Sequence, residues 1–208
     1  MTTILVLAGA LVALWLLRPV TRILVATLFG KAVGKAALAR QPDQIHLAHT
    51  EPSRWGNGIP DGVAAQMMHR GFEDAGSFTI PEMPGVVVRL LAHPGESLYG
   101  AIYVHPRTGV WFDYLTRYKD GTQATFTTCA PSSLDPRPGF VMEHAPGASP
   151  IGLLDRTLAE RPRAPFKPTA AKTAVRDFEQ AYAEHVAWLK GRGISRAEVV
   201  RVASRKAA

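Results

Sequence analysis

Between Val86 and Cys129 the chain reads VVVRLLAH, LYGAIYVH, VWFDYLTRY and TQATFTTC, and each short run ends in turn chemistry: PGES, PRTG and KDGT. This succession constrains the fold more than any other feature of the sequence. The runs are rich in β-branched and aromatic residues, as strands require. Connections this short make consecutive strands antiparallel neighbours. Asp120-Gly121 is the sharpest signal, because a two-residue type I′ hairpin needs positive φ. Adding Ser77–Ile80 ahead of Val86–His93, Leu98–His105, Val110–Tyr118 and Thr122–Cys129 predicts a five-stranded antiparallel meander.

Helical patterns flank these strands. Asp61 caps a short helix to Arg70, with Ala64, Ala65, Met67 and Met68 on its apolar side. Ala130–Ala148 carries four prolines and reads as a long loop. Ser149-Pro150 opens a helix as cap and first-turn proline, continuing to about Arg161. Val175, Phe178, Tyr182, Val186 and Leu189 follow the 3.6-residue period over about Ala170–Lys190. Ser195 and Glu198 form a capping box for a short terminal helix. The expected fold class is α+β: the meander packed by the C-terminal helices, preceded by an N-terminal transmembrane helix.

That transmembrane expectation rests on Thr2–Leu17, TTILVLAGALVALWLL, which carries no charge. As a helix it spans roughly 24 Å, short of a hydrocarbon core about 30 Å thick but sufficient if Arg18 snorkels. A cleaved signal peptide would want a basic segment before the apolar run, and none is present. Arg18, Arg22, Lys31, Lys35 and Arg40 follow with no acid among them, which places the C-terminal side in the cytoplasm. The expected location is therefore the inner membrane, single-pass, with a cytoplasmic domain. Arg18 and Arg22, and Lys31 and Lys35, are spaced by four, so each pair shares a helix face suited to anionic headgroups. An amphipathic helix on the surface, or a transmembrane helix continuing past Pro19, both fit. Gly30 and Gly34 form a small-xxx-small pair. The organisation read from these boundaries is 1–40 anchor and juxtamembrane helix, 41–60 linker, and 61–208 globular domain.

Charge bears on partners. Removing those five residues from the 24 basic ones leaves 19 against 17 acidic, so the formal +7 does not describe the folded part. With no recognised nucleic-acid motif, nucleic acid is not among the expected partners. No cofactor or metal is expected either. His46 and His49 share a spacing but have no further ligand nearby, and Cys129 stands alone without a disulfide framework.

Placing Tyr103 opposite Trp111, Leu91 opposite Tyr99 and Lys119 opposite Thr122 predicts one sheet face carrying Arg89, Tyr99, Tyr103, Trp111 and Asp113. Arg89, Ala101 and Asp113 would form a row across three strands, with an ion pair over the small alanine. Aromatic rings with arginine commonly mark interfaces, so these five residues are the candidate partner-binding set. LAHPGESLYGAIYVHP, followed by Asp-Gly and a Thr-rich strand, resembles a group of membrane-anchored bacterial proteins with a small α+β domain of unknown function. That resemblance spans roughly Gly71–Pro162 and implies no catalytic residue. The expected function is a non-catalytic, membrane-anchored interaction module serving a membrane assembly. Its expected partners are membrane lipid and another protein, with self-association through the anchor as a further route. The alternative is a small hydrolase or ligand-processing enzyme using a cleft on the sheet.

Overall fold

The computed structural model describes residues 26–51 and 58–205. They fall in two compact units. Of the described residues, the larger comprises 42–51, 58–131 and 136–185; the smaller draws on 26–41, 132–135 and 186–205.

The larger unit is built on a seven-stranded sheet whose strands lie in chain order: β1 (Ala48–His49), β2 (Glu73–Thr79), β3 (Val87–His93), β4 (Leu98–His105), β5 (Gly109–Arg117), β6 (Gln123–Thr127) and β7 (Phe140–His144). The pairings from β1 through β6 are antiparallel, and β6–β7 is parallel. The expected five-stranded, wholly antiparallel meander is thus corrected to a mixed sheet of seven. Phe140–His144 was hidden inside a proline-rich stretch, where Pro136, Pro138 and Pro146 mask a five-residue strand.

One face packs under two helices, α2 (Ile59–His69) and α3 (Pro150–Glu160). Val63, Ala64 and Met67 of α2 and Leu153 and Leu154 of α3 close over Leu98, Ile102, Phe112, Tyr114 and Phe126. Gly100 allows this approach: a Cβ there would meet the Met67 sulfur at 3.1 Å and the Phe72 ring at 3.3 Å. Ser149 caps α3 through Gly152 N–H, with Pro150 in the first turn, as the sequence predicts. Gly58, not Asp61, occupies the start of α2; Asp61 sits inside its first turn. The opposite face packs under α4 (Ala171–Arg192), whose Ala171, Ala174, Val175, Phe178 and Tyr182 lie against Val88, Leu90, Ala92, Tyr99 and Ala101.

In the smaller unit, α1 (residues 26–39) buries Ala26, Gly30, Gly34 and Leu38, one residue per turn. The Gly30 and Gly34 pair does permit a close approach: a Cβ at Gly30 would meet Arg196 Cγ at 3.0 Å and one at Gly34 would meet Ile194 Cβ at 3.0 Å, both tighter than van der Waals contact. The capping box forms at α5 (Arg196–Arg205): Ser195 Oγ accepts from Glu198 N–H, and Glu198 accepts from Ser195 N–H. Glu198 is fully buried and also accepts from Arg192 at 2.7 Å and from Asp135 N–H at 2.8 Å. Its carboxyl is held far below the ordinary range, chiefly by the Arg192 guanidinium.

The expected transmembrane anchor, and with it the inner-membrane location, is corrected. Among the described residues no helix is long and apolar enough to cross a membrane. α4, at 22 residues, carries Lys172, Arg176, Asp177, Glu179 and Glu184, and α1 carries Lys31 and Lys35. Thr2–Leu17, on which the expectation rested, lies outside the described residues, as do Arg18 and Arg22.

Candidate functional site

The registers decide which side chains meet. Tyr103 does oppose Trp111, and Ala101 opposes Asp113. The other two expected registers are each off by one residue, which in a strand reverses the face. Leu91 pairs with Gly100 and Ala92 with Tyr99, because the connection after β3 is a 3-10 turn, Pro94–Glu96, followed by Ser97 at φ 51. Beyond β5, Tyr118 rather than Lys119 faces Thr122. The loop there has three residues: Gly121 N–H returns to Tyr118 O, Gly121 sits at φ 86, and Asp120 accepts from Thr122 N–H at 2.9 Å. A type I turn followed by a left-handed glycine replaces the expected two-residue turn.

Arg89 therefore lies on the α2 face, away from Asp113. It holds Asp74 through two hydrogen bonds, the shorter 2.7 Å, and Asp61 at 3.1 Å. The expected Arg89–Asp113 ion pair does not form. The remaining four candidates share the α4 face. Tyr99 is buried and donates to Asp177 at 2.7 Å, with Thr173 at 3.0 Å. Tyr103 stacks on Trp111 with ring centroids 4.9 Å apart and planes 9° from parallel, and its centroid lies 6.3 Å from that of Phe178.

Asp113 is the group that stands out electrostatically. Burial pushes its carboxyl from an ordinary 3.8 up to about 6, against hydrogen bonds from Thr127 and Tyr103 that favour the charged form. Its Oδ1 is buried without a hydrogen-bond partner among the described residues. Arg117, on the same face of β5, likewise has one buried guanidinium nitrogen without a partner, while Nη2 stands 4.0 Å from Glu184. Nearby Cys129 is exposed, but burial and the Asp113 charge push its thiol up, away from nucleophilic thiolate. His144 Nδ1 is engaged with the Cys129 carbonyl at 2.9 Å. No group of three His, Cys, Asp or Glu side chains among the described residues is arranged to hold a metal ion. Lys31 and Lys35 are exposed on α1, together with Leu28 and Phe29. In the smaller unit a cavity of about 440 Å³ is lined by Ser132–Asp135, Val200, Arg201, Ser204 and Arg205, with Arg201 and Asp135 ion-paired to each other.

The sheet also presents a feature that the sequence reading missed. Its edges differ. β1 offers only two residues, whereas β7 offers five. In a parallel ladder alternate residues direct both backbone groups to the neighbour and the rest point away. Gln123 N–H donates to Gly139 O, and Ala145 N–H donates to Thr127 O, so Gly139, Val141, Glu143 and Ala145 address β6. The N–H and C=O of Met142 and His144 consequently point off the sheet. Val141 is 42% exposed and Met142 52%. No proline or lysine interrupts β7, although such residues commonly guard an open edge. The available signal was the five-residue extent of FVMEH between Gly139 and Pro146, outweighed by the surrounding prolines.

Comparison with protein families, with curated proteins and with solved structures gave no match to the chain.

Proposed function

We propose that this chain is a non-catalytic protein-interaction module that takes up an extended segment of a partner along β7. The observation that carries this reading is the open edge itself: outward backbone groups at Met142 and His144 flanked by exposed Val141 and Met142. Main-chain hydrogen bonds supply affinity in such strand addition, and alternate side chains supply selectivity. The candidate aromatic residues then have a supporting part. Tyr99 and Tyr103, packed against α4, hold the sheet to which β7 is attached.

Panning a display library of unstructured ten-residue peptides against the full chain tests the proposal. Enriched peptides are expected to protect the Met142 and His144 amides from hydrogen exchange and to lose capture by a Met142→Pro chain. Proline there removes an N–H the ladder does not use, so folding should survive. Enriched peptides that protect other amides, equal capture by the proline variant, or no enrichment would overturn it.

A second reading, a ligand-processing site, has one observation in its favour: a buried carboxyl at Asp113 with a pKa of about 6, close to where an acid–base catalyst works. It would require Asp113→Asn to abolish turnover of a substrate that the native chain processes.

A further inference from the structure

Resting on the edge reading, we infer that the extended segment β7 takes up is β7 of a second copy, running antiparallel across a twofold axis at Met142. The backbone sets the possible registers. Only Phe140, Met142 and His144 point outward, so in an antiparallel pair they must oppose one another. Centring on Met142 sets Met142 against Met142 of the second copy, Phe140 against His144, and Val141 against Glu143. Every β7 residue is then paired. Met142 N–H donates to the Met142 carbonyl of the second copy and the reverse, while each His144 N–H donates to a Phe140 carbonyl. The Phe140 N–H is not left wanting, because it already donates to Arg137 O at 3.0 Å.

Charge selects the same register. Sliding by one step toward the C-terminal end sets Glu143 against Glu143 and reduces the overlap to three pairs, and like charges directly opposite are destabilising. Sliding the other way also leaves three pairs and strands the His144 N–H. In the Met142-centred register, Glu143 faces Val141 and keeps its own neighbour Arg156 at 3.5 Å. On the α4 side, Phe140 meets His144 and the two methionines meet on the axis. The result is an isologous contact, the usual form of a homodimer. A five-residue edge buries less than the roughly 800 Å² per partner of a standard stable interface, so the dimer is weak and concentration-dependent.

The test uses the full chain with Cys129→Ser, to remove the native thiol, and adds Val141→Cys, Met142→Cys or Glu143→Cys singly. Under mild oxidation Met142→Cys should form disulfide dimers at least about tenfold faster than the other two. Only an axial residue meets itself, and directly opposed Cα atoms about 5.5 Å apart suit a disulfide. Sedimentation of the native chain should show a dimer that grows with concentration and is absent from Met142→Pro. Equal cross-linking at all three positions, or a native chain that stays monomeric up to about 500 µM, overturns the twofold pairing. A monomeric chain whose Met142 and His144 amides are still protected by panned peptides would remove the second copy as occupant and leave the edge reading standing. Loss of both results would remove both.

Discussion

Replacing Asp113 by asparagine should stabilise the protein, and only above about pH 5. In the unfolded chain this carboxyl loses its proton near 3.8; in the fold burial delays that loss to about 6. Between those values the native state binds more protons than the unfolded state, so stability falls as pH rises through the window. Above it the native state carries a constant penalty of about 2–3 kcal/mol, from roughly two pKa units at about 1.4 kcal/mol each. Asparagine keeps the shape, cannot ionise and removes that penalty. Urea titrations of native and Asp113→Asn chains at pH 4.0 and 7.5 measure it. The variant should gain about 1–3 kcal/mol at pH 7.5, some of the penalty being replaced by imperfect amide hydrogen bonding, and little at pH 4.0. Taking the difference between the two proteins at each pH cancels other groups that titrate over the same range. A gain that is the same at both pH values, or a loss at pH 7.5, would refute the placement of an ionised carboxylate in this buried position.

Arg89→Met should cost about 1–2 kcal/mol in chemical denaturation, because it deprives Asp74 and Asp61 of the guanidinium they share, on a side chain only 11% exposed. Double-mutant cycles should show Arg89 coupled to Asp74 by at least about 0.5 kcal/mol and uncoupled from Asp113; coupling to Asp113 would reverse the β3 register. Gly100→Ala should destabilise by about 1–3 kcal/mol through overpacking against Met67 and Phe72, and a neutral result would mean that α2 does not approach β4 so closely.

Legibility in the sequence varied with what set each feature. The β2–β6 strands, the Ser149 cap, the Ser195–Glu198 box and the Tyr103–Trp111 register follow from local chemistry, and local chemistry is visible in a sequence. The Arg89–Asp113 pairing failed because it depended on counting turn residues. Ser97 in the left-handed region shifts the β3–β4 register by one, and that step carries Arg89 to the other face; the three-residue loop at Lys119–Gly121 shifts only the β5–β6 register. β7 escaped notice for a different reason. Its partner, β6, lies across a connection of residues 128–139, and no local pattern announces a parallel pairing over that distance.

The order of the strands has a kinetic consequence. From β2 to β6 every pairing joins strands adjacent in the chain, so each hairpin can close over a short loop and the sheet can zip along its own sequence. β7, like the two-residue β1 at the other edge, must wait for a longer, proline-bearing connection to close before pairing rewards it. Refolding should accordingly add it after β2–β6, and native-state opening should release it before them, baring the edge of β6. The strand best placed to receive a partner is thus one that joins the sheet late, and a chain caught before that step offers newcomers a different edge, with a different register.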